Sequence, residues 1–257
     1  MADLSLRLDG AVARVVIDRP GKRNAMSLAM WRELPSFFER AGQAVEVRVI
    51  VLQGARADAF SAGADIGELV AHAASEQLAG SFMDAIEAAT AAMTSCAKPV
   101  VAVIRGDCVG GGVELAMACD LRLASRSSRF AIPPARLGAL YGFSSTRRLV
   151  DLVGPGRARD LLFSGRQFDA DEAYAIGLLD QLHAAEDFDA AVNKYLAMLC
   201  QRARSSQSGA KTMVAAALSS LASEDAKLRQ LRLENFLGED LKEGASAFLE
   251  KRPAAFR

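Results

Sequence analysis

Two stretches of the chain follow one plan, and that repetition limits the folds open to it more than any other feature. Val47-Arg48-Val49-Ile50-Val51-Leu52-Gln53-Gly54 and Lys98-Pro99-Val100-Val101-Ala102-Val103-Ile104-Arg105-Gly106 are both β-branched runs that end at glycine. Apolar runs of this kind read as strands buried on both faces. Each leads into a small-residue turn and then a helical pattern. After the first comes Ala62-Gly63-Ala64-Asp65-Ile66-Gly67-Glu68-Leu69, and after the second Gly110-Gly111-Gly112-Val113-Glu114-Leu115-Ala116-Met117. Between them Ser75 to Ser95 is alanine-rich, with Leu78, Phe82, Ile86 and Met93 at helical spacing. Strand, turn and helix in repetition predict an α/β architecture with parallel crossovers.

The flanks fit around that core. Leu4 to Leu8 and Ala11 to Ile17 alternate on either side of Asp9-Gly10, which predicts a β-hairpin. Ser27 can cap a helix running to about Gln43, with Pro35 inside it expected to kink or split it. Asp169-Ala170-Asp171-Glu172 starts a further helix that Gly177 ends, and Leu178 to Leu182 reads as a short strand. From Asp187 the strand signal fades, and three or four helices follow with breaks near Ser205-Ser206, Ser223 and Gly238. The expected division is an α/β core over 1–195 and a helical region over 196–257.

Composition narrows the function. With 31 Lys+Arg against 31 Asp+Glu in 257 residues, the chain has no basic excess for phosphate neutralisation, so no nucleic-acid partner is expected. Cys96, Cys108, Cys119 and Cys200 form no C-x-x-C pair, and only His72 and His183 could join them, so zinc-site spacing is absent and no metal is expected. Met1-Ala2-Asp3-Leu4 lacks the basic and apolar regions of a leader, and no apolar run approaches the ~18 residues of a membrane span, so a cytoplasmic protein is expected.

The glycine triplet is the sharpest chemical feature. Three glycines after a buried strand let the backbone approach a ligand, and the following helix presents unpaired N–H groups there. The spacing is neither a dinucleotide fingerprint nor a phosphate loop. Glu114, in the first turn of that helix, reads equally as a carboxylate favoured by the helix dipole or as a desolvated acid fit to move protons. The first turn, Asp58 to Ile66, supplies a second set of small residues before a helix start. Two such turns could each lend one N–H to the same oxygen, as in an oxyanion hole.

Ala59-Phe60-Ser61-Ala62-Gly63-Ala64-Asp65-Ile66 and Gly110-Gly111-Gly112-Val113-Glu114-Leu115-Ala116, with Cys119-Asp120 following, resemble the two signature loops of the enoyl-CoA hydratase/isomerase (crotonase) superfamily. Arg19-Pro20 with Asn24-Ala25 is similar to its N-terminal motif, and Lys242-Glu243-Gly244, Phe248 to Arg252 and Phe256 to its C-terminal helix. The resemblance implies a spiral of repeated ββα units, a C-terminal helical trimerisation region, and a homotrimer or a dimer of trimers. It implies that the N–H groups of Ala64 and Gly111 hold a thioester oxygen and that Glu114 is the catalytic carboxylate. It places Lys22, Arg23, Ala62, Asp65, Ile66 and Lys251 along coenzyme A, which serves as thioester carrier of the substrate, with no metal or redox cofactor.

One departure from the family bears on the reaction. Hydratases of the family carry a second glutamate in a Phe-Gly-Gln-Pro-Glu type segment, which here reads Phe130-Ala131-Ile132-Pro133-Pro134. Pro134 cannot transfer a proton, so a single-glutamate, isomerase or hydratase-like reaction on an enoyl-CoA is expected, with Pro134, Leu137 and Tyr141 in the acyl pocket. Leu137-Gly138-Ala139-Leu140-Tyr141 also resembles methylmalonyl-CoA decarboxylases, which makes an acyl-CoA decarboxylase the alternative. A non-catalytic acyl-CoA or RNA-binding relative is the alternative of another class. Asp84 and Glu87, on the long helix, could reach the acyl pocket in place of the missing acid, although a solvated helix face is the stronger reading of both.

Overall fold

The computed structural model describes residues 3–219, 221 and 223–256; Met1 and Ala2 of the opening tetrad lie outside them. Strands β1 (Leu4–Asp9) and β2 (Val12–Ile17) pair antiparallel across the Asp-Gly turn, as the alternation requires. Helix α1 (Leu28–Gln43) begins at Ser27, whose hydroxyl accepts from the Met30 N–H. Pro35 neither splits nor ends it. Proline removes one interior hydrogen bond, but Met30, Trp31, Leu34, Phe37, Phe38 and Ala41 lie buried on one face of the helix and hold it against the core.

The repeating plan follows. Strands β3 (Val49–Gly54) and β4 (Ala59–Ser61) lead into α2 (Ile66–His72) and α3 (Glu76–Ser95). Strands β5 (Val100–Ile104) and β6 (Asp107–Val109) lead into α4 (Gly111–Ala118). Strands β7 (Leu121–Ser125) and β8 (Arg129–Ala131) lead into α5 (Pro134–Leu137) and α6 (Phe143–Ser164). The chain then adds β9 (Gln167–Asp169), α7 (Ala170–Ala175) and β10 (Gln181–His183). First strands of the repeats join a six-stranded sheet in the order β1-β2-β3-β5-β7-β10; second strands form a four-stranded sheet, β4-β6-β8-β9. Within the repeats both sheets pair in parallel. The chain therefore spirals from the large sheet to the small one, through a helix, and back.

Alternation within β3 shows why these runs are apolar throughout. Ile50 and Leu52 face the core shared with α1, α3 and the small sheet, whereas Val49 and Val51 face α8 (Phe188–Cys200) through Phe188, Val192 and Leu196. The division expected between 195 and 196 falls within this helix. Helices α9 (Arg204–Ala217), α10 (Ala226–Leu237) and α11 (Glu239–Leu249) complete the chain. Lys211 ties α9 to the core, with its ammonium 2.8 Å from an Asp120 carboxylate oxygen that also accepts from the Val100 N–H.

Two boundaries differ from expectation, and two fall where they were expected. The strand read at Leu178 to Leu182 starts at Gln181, because Leu178 and Leu179 are drawn into the core as loop residues. The break read at Ser205-Ser206 falls just before Arg204, so both serines sit in the first turn of α9. The break read at Ser223 is an open segment before α10, while that at Gly238 is a single residue capping both α10 and α11.

Gly112 is fixed by close approach, since a methyl group there would lie 2.4 Å from the Ser61 carbonyl oxygen. At Gly80, inside α3, it would meet nothing within 4 Å. Gly112→Ala is expected to cost about 1 to 3 kcal/mol through overpacking, and Gly80→Ala to gain about 0.5 to 1 kcal/mol through helix propensity. Urea denaturation of the two variants checks the opposite signs.

Candidate active site

The N-terminal motif shapes the first loop. Asn24 adopts a left-handed backbone (φ 59°). Its side-chain oxygen accepts from the Arg19 N–H at 2.9 Å, and its amide donates to the Ala59 carbonyl at 2.7 Å. The Ser61 hydroxyl donates to the Asn24 carbonyl (2.8 Å) and accepts from the Gly63 N–H (3.2 Å). Met26 then donates to the Gly63 carbonyl at 2.7 Å and accepts from the Asp65 N–H at 2.9 Å. These bonds tie down the backbone on both sides of Ala64, while among the described residues nothing accepts from the N–H of Ala64 itself.

The second loop is the turn from β6 into α4. Gly110 has φ 53° and ψ −119°, a conformation that a side chain would resist. Its N–H donates to the Ala131 carbonyl at 2.9 Å, and its own carbonyl accepts from Val113 (2.8 Å) and Glu114 (3.2 Å). The Gly111 N–H has no protein acceptor among the described residues. The two loops touch: a Cβ placed on Gly111 would lie 3.3 Å from the Ala64 nitrogen, and one on Gly63 would lie 2.9 Å from the Gly111 nitrogen. Trp31 backs the contact, its ring edge 3.1 Å from the same Gly111 position. Two free N–H groups from two repeats therefore meet at one place, where they can donate to a single oxygen.

Glu114 lies one helical turn into α4 and is 7% exposed. Burial pushes its carboxyl above the ordinary range, opposed by Ser145 and Arg148 and reinforced by the charge of Glu87. Ser145 and Arg148 share the first turns of α6, and the Ser144 hydroxyl there donates to Glu87 on α3. Arg148 and the bracing role of Asn24 escape sequence reasoning. Arg148 stands in an ordinary amphipathic helix pattern, and only the packing of α6 against α4 brings it near Glu114. Glu87 reaches this group while staying exposed on the rim, whereas Asp84 is exposed and is not among the groups that act on Glu114.

The other candidates divide. Lys22, Arg23, Ala62, Asp65 and Ile66 gather beside the first loop. The Ala62 N–H donates to the Arg23 carbonyl, the Lys22 ammonium is 3.7 Å from Asp65, and Arg23 pairs with Asp107. Asp65 caps α2 through the Gly67 N–H and receives Arg19 at 2.8 Å. Burial works to raise its carboxyl, but Arg19, the Gly67 N–H and Lys22 together hold it below the usual range. Lys251 stands past the end of α11, and among the described residues no contact joins it to this group. Pro134 is buried at the start of α5, next to Pro133, whose ring lies 3.7 Å from a Cβ position on Gly110. Tyr141 donates to the Gly110 carbonyl at 2.7 Å. Leu137, the last residue of α5, is half exposed.

The fold and this site define a class: a ββα spiral whose adjacent repeats present two backbone donors beside one buried acid. The chain belongs to the enoyl-CoA hydratase/isomerase family, whose sequence pattern matches residues 7–257. It is 31% identical to a crotonyl-CoA hydratase of Syntrophomonas wolfei over 99% of this chain and 97% of that protein. Among solved structures it superposes on an enoyl-CoA hydratase/isomerase family protein from Hyphomonas neptunium with a TM-score of 0.96 and 38% identity, covering 100% and 98% of the two chains. An enoyl-CoA hydratase/carnithine racemase from Magnetospirillum magneticum gives 0.95 and 31%, covering 100% and 96%.

A raised pKa in the folded state has a thermodynamic signature. Folded Glu114 holds its proton above the unfolded value of about 4.3, so its contribution to stability is full below that value and lost as pH rises through the folded pKa. Glu114→Gln, neutral throughout, is expected to exceed the wild type in stability at about pH 8 and to lose that advantage by about pH 4. Urea unfolding as a function of pH measures the gap, and a pH-independent difference would contradict the burial account.

Proposed function

We propose that this member of the family acts on enoyl-CoA thioesters through an enolate, with Glu114 as the single proton carrier. The carrying observation is the meeting of the Ala64 and Gly111 N–H groups beside a buried carboxylate. A thioester α-proton is weakly acidic, and its removal becomes feasible only when the oxygen that gains charge is stabilised. Two fixed donors supply that stabilisation, each worth roughly 3 to 4 kcal/mol in such sites. In the isomerase form, ionised Glu114 removes a proton from C2 of a 3-enoyl thioester, the electron pair moves onto the oxygen, and the proton returns at C4. The double bond moves by one position, and the reaction as written calls for neither metal nor redox group.

Pro134 favours one carboxylate over two, since it offers no second acid where hydratases of the family keep one. Lys22, Arg23, Ala62, Asp65 and Ile66 lie where the coenzyme A portion would run past the first loop, whose remote binding energy orients the acyl group. Lys251 would join them from a neighbouring subunit. Tyr141 counts against the decarboxylase alternative, because its hydroxyl is engaged with the Gly110 carbonyl rather than free for an acyl group. Among the described residues no helix is long and apolar enough to cross a membrane.

Assay of crotonyl-CoA, a 3-enoyl-CoA and methylmalonyl-CoA tests this reading. Turnover of the 3-enoyl-CoA is expected to exceed hydration of crotonyl-CoA, and Glu114→Gln to lower kcat by roughly 100-fold or more with affinity retained. Pro134→Glu is expected to raise hydration relative to isomerisation, modestly, because a new carboxylate lacks supporting contacts. Efficient hydration by the wild type would sink the single-acid reading, and turnover of methylmalonyl-CoA alone would favour decarboxylation.

We propose further that the chain assembles with copies of itself as a homotrimer or a dimer of trimers. Phe236 (70% exposed), Leu241 (42%) and Phe248 (83%) lie on the last two helices and leave more apolar surface in water than a lone terminal region ordinarily keeps. Light scattering at micromolar concentration checks this, with a monomer as the contrary result.

A further inference from the structure

The Gly110–Gly111 peptide is where the second loop delivers its N–H. All described peptides are trans, and in a planar trans peptide the C=O and the N–H point in opposite directions. Whatever fixes the Gly110 carbonyl therefore aims the Gly111 N–H. Three donors converge on that carbonyl: the N–H groups of Val113 (2.8 Å) and Glu114 (3.2 Å), and the Tyr141 hydroxyl at 2.7 Å. The first two belong to the opening turn of α4 itself. Tyr141 comes from elsewhere, the loop between α5 and α6, and makes the shortest of the three contacts.

We propose that Tyr141 is a positioning residue of the oxyanion hole: its hydroxyl holds the Gly110 carbonyl so that the Gly111 N–H points at the same acceptor as the Ala64 N–H, and its bond polarises that peptide. This rests on the proposed enolate chemistry but assigns Tyr141 a part in it that contact with the acyl group would not give. Glycine on both sides of the bond makes the restraint necessary. Neither Gly110 nor Gly111 has a side chain to oppose rotation of the peptide plane, and a rotated plane would withdraw the donor. A hydrogen bond to the carbonyl oxygen also draws electron density from the nitrogen and strengthens the N–H as a donor. Burial, reinforced by Glu114 and Cys108, pushes the phenol pKa well above its ordinary value, so the hydroxyl keeps its proton and remains a donor.

Tyr141→Phe removes the hydroxyl and keeps the ring, and Tyr141→Leu removes the ring as well. The probe is butanoyl-CoA labelled with ¹³C at the thioester carbonyl, a saturated ligand, read by infrared difference spectroscopy on the whole protein. In the wild type the carbonyl stretch of the bound probe is expected to move to lower frequency than in water. In Tyr141→Phe most of that shift is expected to vanish, with kcat on the preferred enoyl-CoA falling about ten-fold, the scale of one lost hydrogen bond, and KM little changed. If the ring merely fills space, Tyr141→Phe keeps both the shift and kcat while only Tyr141→Leu loses them, and the proposal is overturned. A wild-type probe with no shift overturns it as well. Should the wild type polarise the probe, and Tyr141→Phe lose that effect, without turnover of any enoyl-CoA tested, the positioning role stands and the proposed reaction is what fails.

Discussion

Two backbone segments, Ser61–Ala64 and Gly110–Gly112, press against each other with no side chain between them, and the rest of the site depends on that contact. A methyl on Gly63, Gly111 or Gly112 would fall 2.4 to 3.3 Å from main-chain atoms of the opposite loop. The energy of this arrangement resides less in the contact itself than in what surrounds it. Asn24, Ser61 and Met26 hold one loop, while Ala131 and the first turn of α4 hold the other. All of these bonds pair groups that burial would otherwise leave unsatisfied, so they fix geometry at little net cost. Where the loops meet, the N–H groups of Ala64 and Gly111 are left without an acceptor among the described residues, and a ligand oxygen can satisfy both.

The repeat explains how two loops come to face each other. Each turn of the spiral sends its first strand to the large sheet and its second to the small one, so equivalent loops stack one repeat apart at the same sheet edges. Parallel pairing of β4 with β6 sets the register that brings Ala64 and Gly111 level. The apolar runs that build β3 and β5 also carry α8 on their outer face, which backs the sheet on the side away from the two loops. A donor pair on such a frame needs no reorganisation when charge develops on the bound oxygen, which is the condition under which these donors are most effective.

Around Glu114 the protein balances two opposing demands. A buried acid resists ionisation, yet the proposed reaction asks Glu114 to ionise before it accepts a proton. Ser145 and Arg148 lower the cost of that charge, and Glu87 on the rim restores part of it. Arg148 pays in turn by its own partial burial, with one guanidinium nitrogen buried and lacking a hydrogen-bond partner among the described residues.

Strands β1, β2, β3 and β5, the hairpin, the helix starts at Ser27, Ser75 and Asp169, and the two small-residue turns could be read from the chain, because each depends on spacing and capping among neighbours in sequence; the strands of the small sheet and β7, all five residues or shorter, could not. The glycine triplet and Glu114 were legible for the same reason: a strand, a tight turn and a helix start lie within one short segment. Pro35 does not split α1, because the buried face that carries the helix holds it together, which local rules do not include. The strand at Leu178 was misplaced because core burial, not propensity, decides where its loop ends. Tyr141, Arg148 and Glu87 received their partners from tertiary packing alone. Tyr141 lies 31 positions from the carbonyl it holds. No periodicity links residues so far apart; only the folding of α5 and α6 over the start of α4 brings the hydroxyl to that peptide, and so decides which way its N–H points.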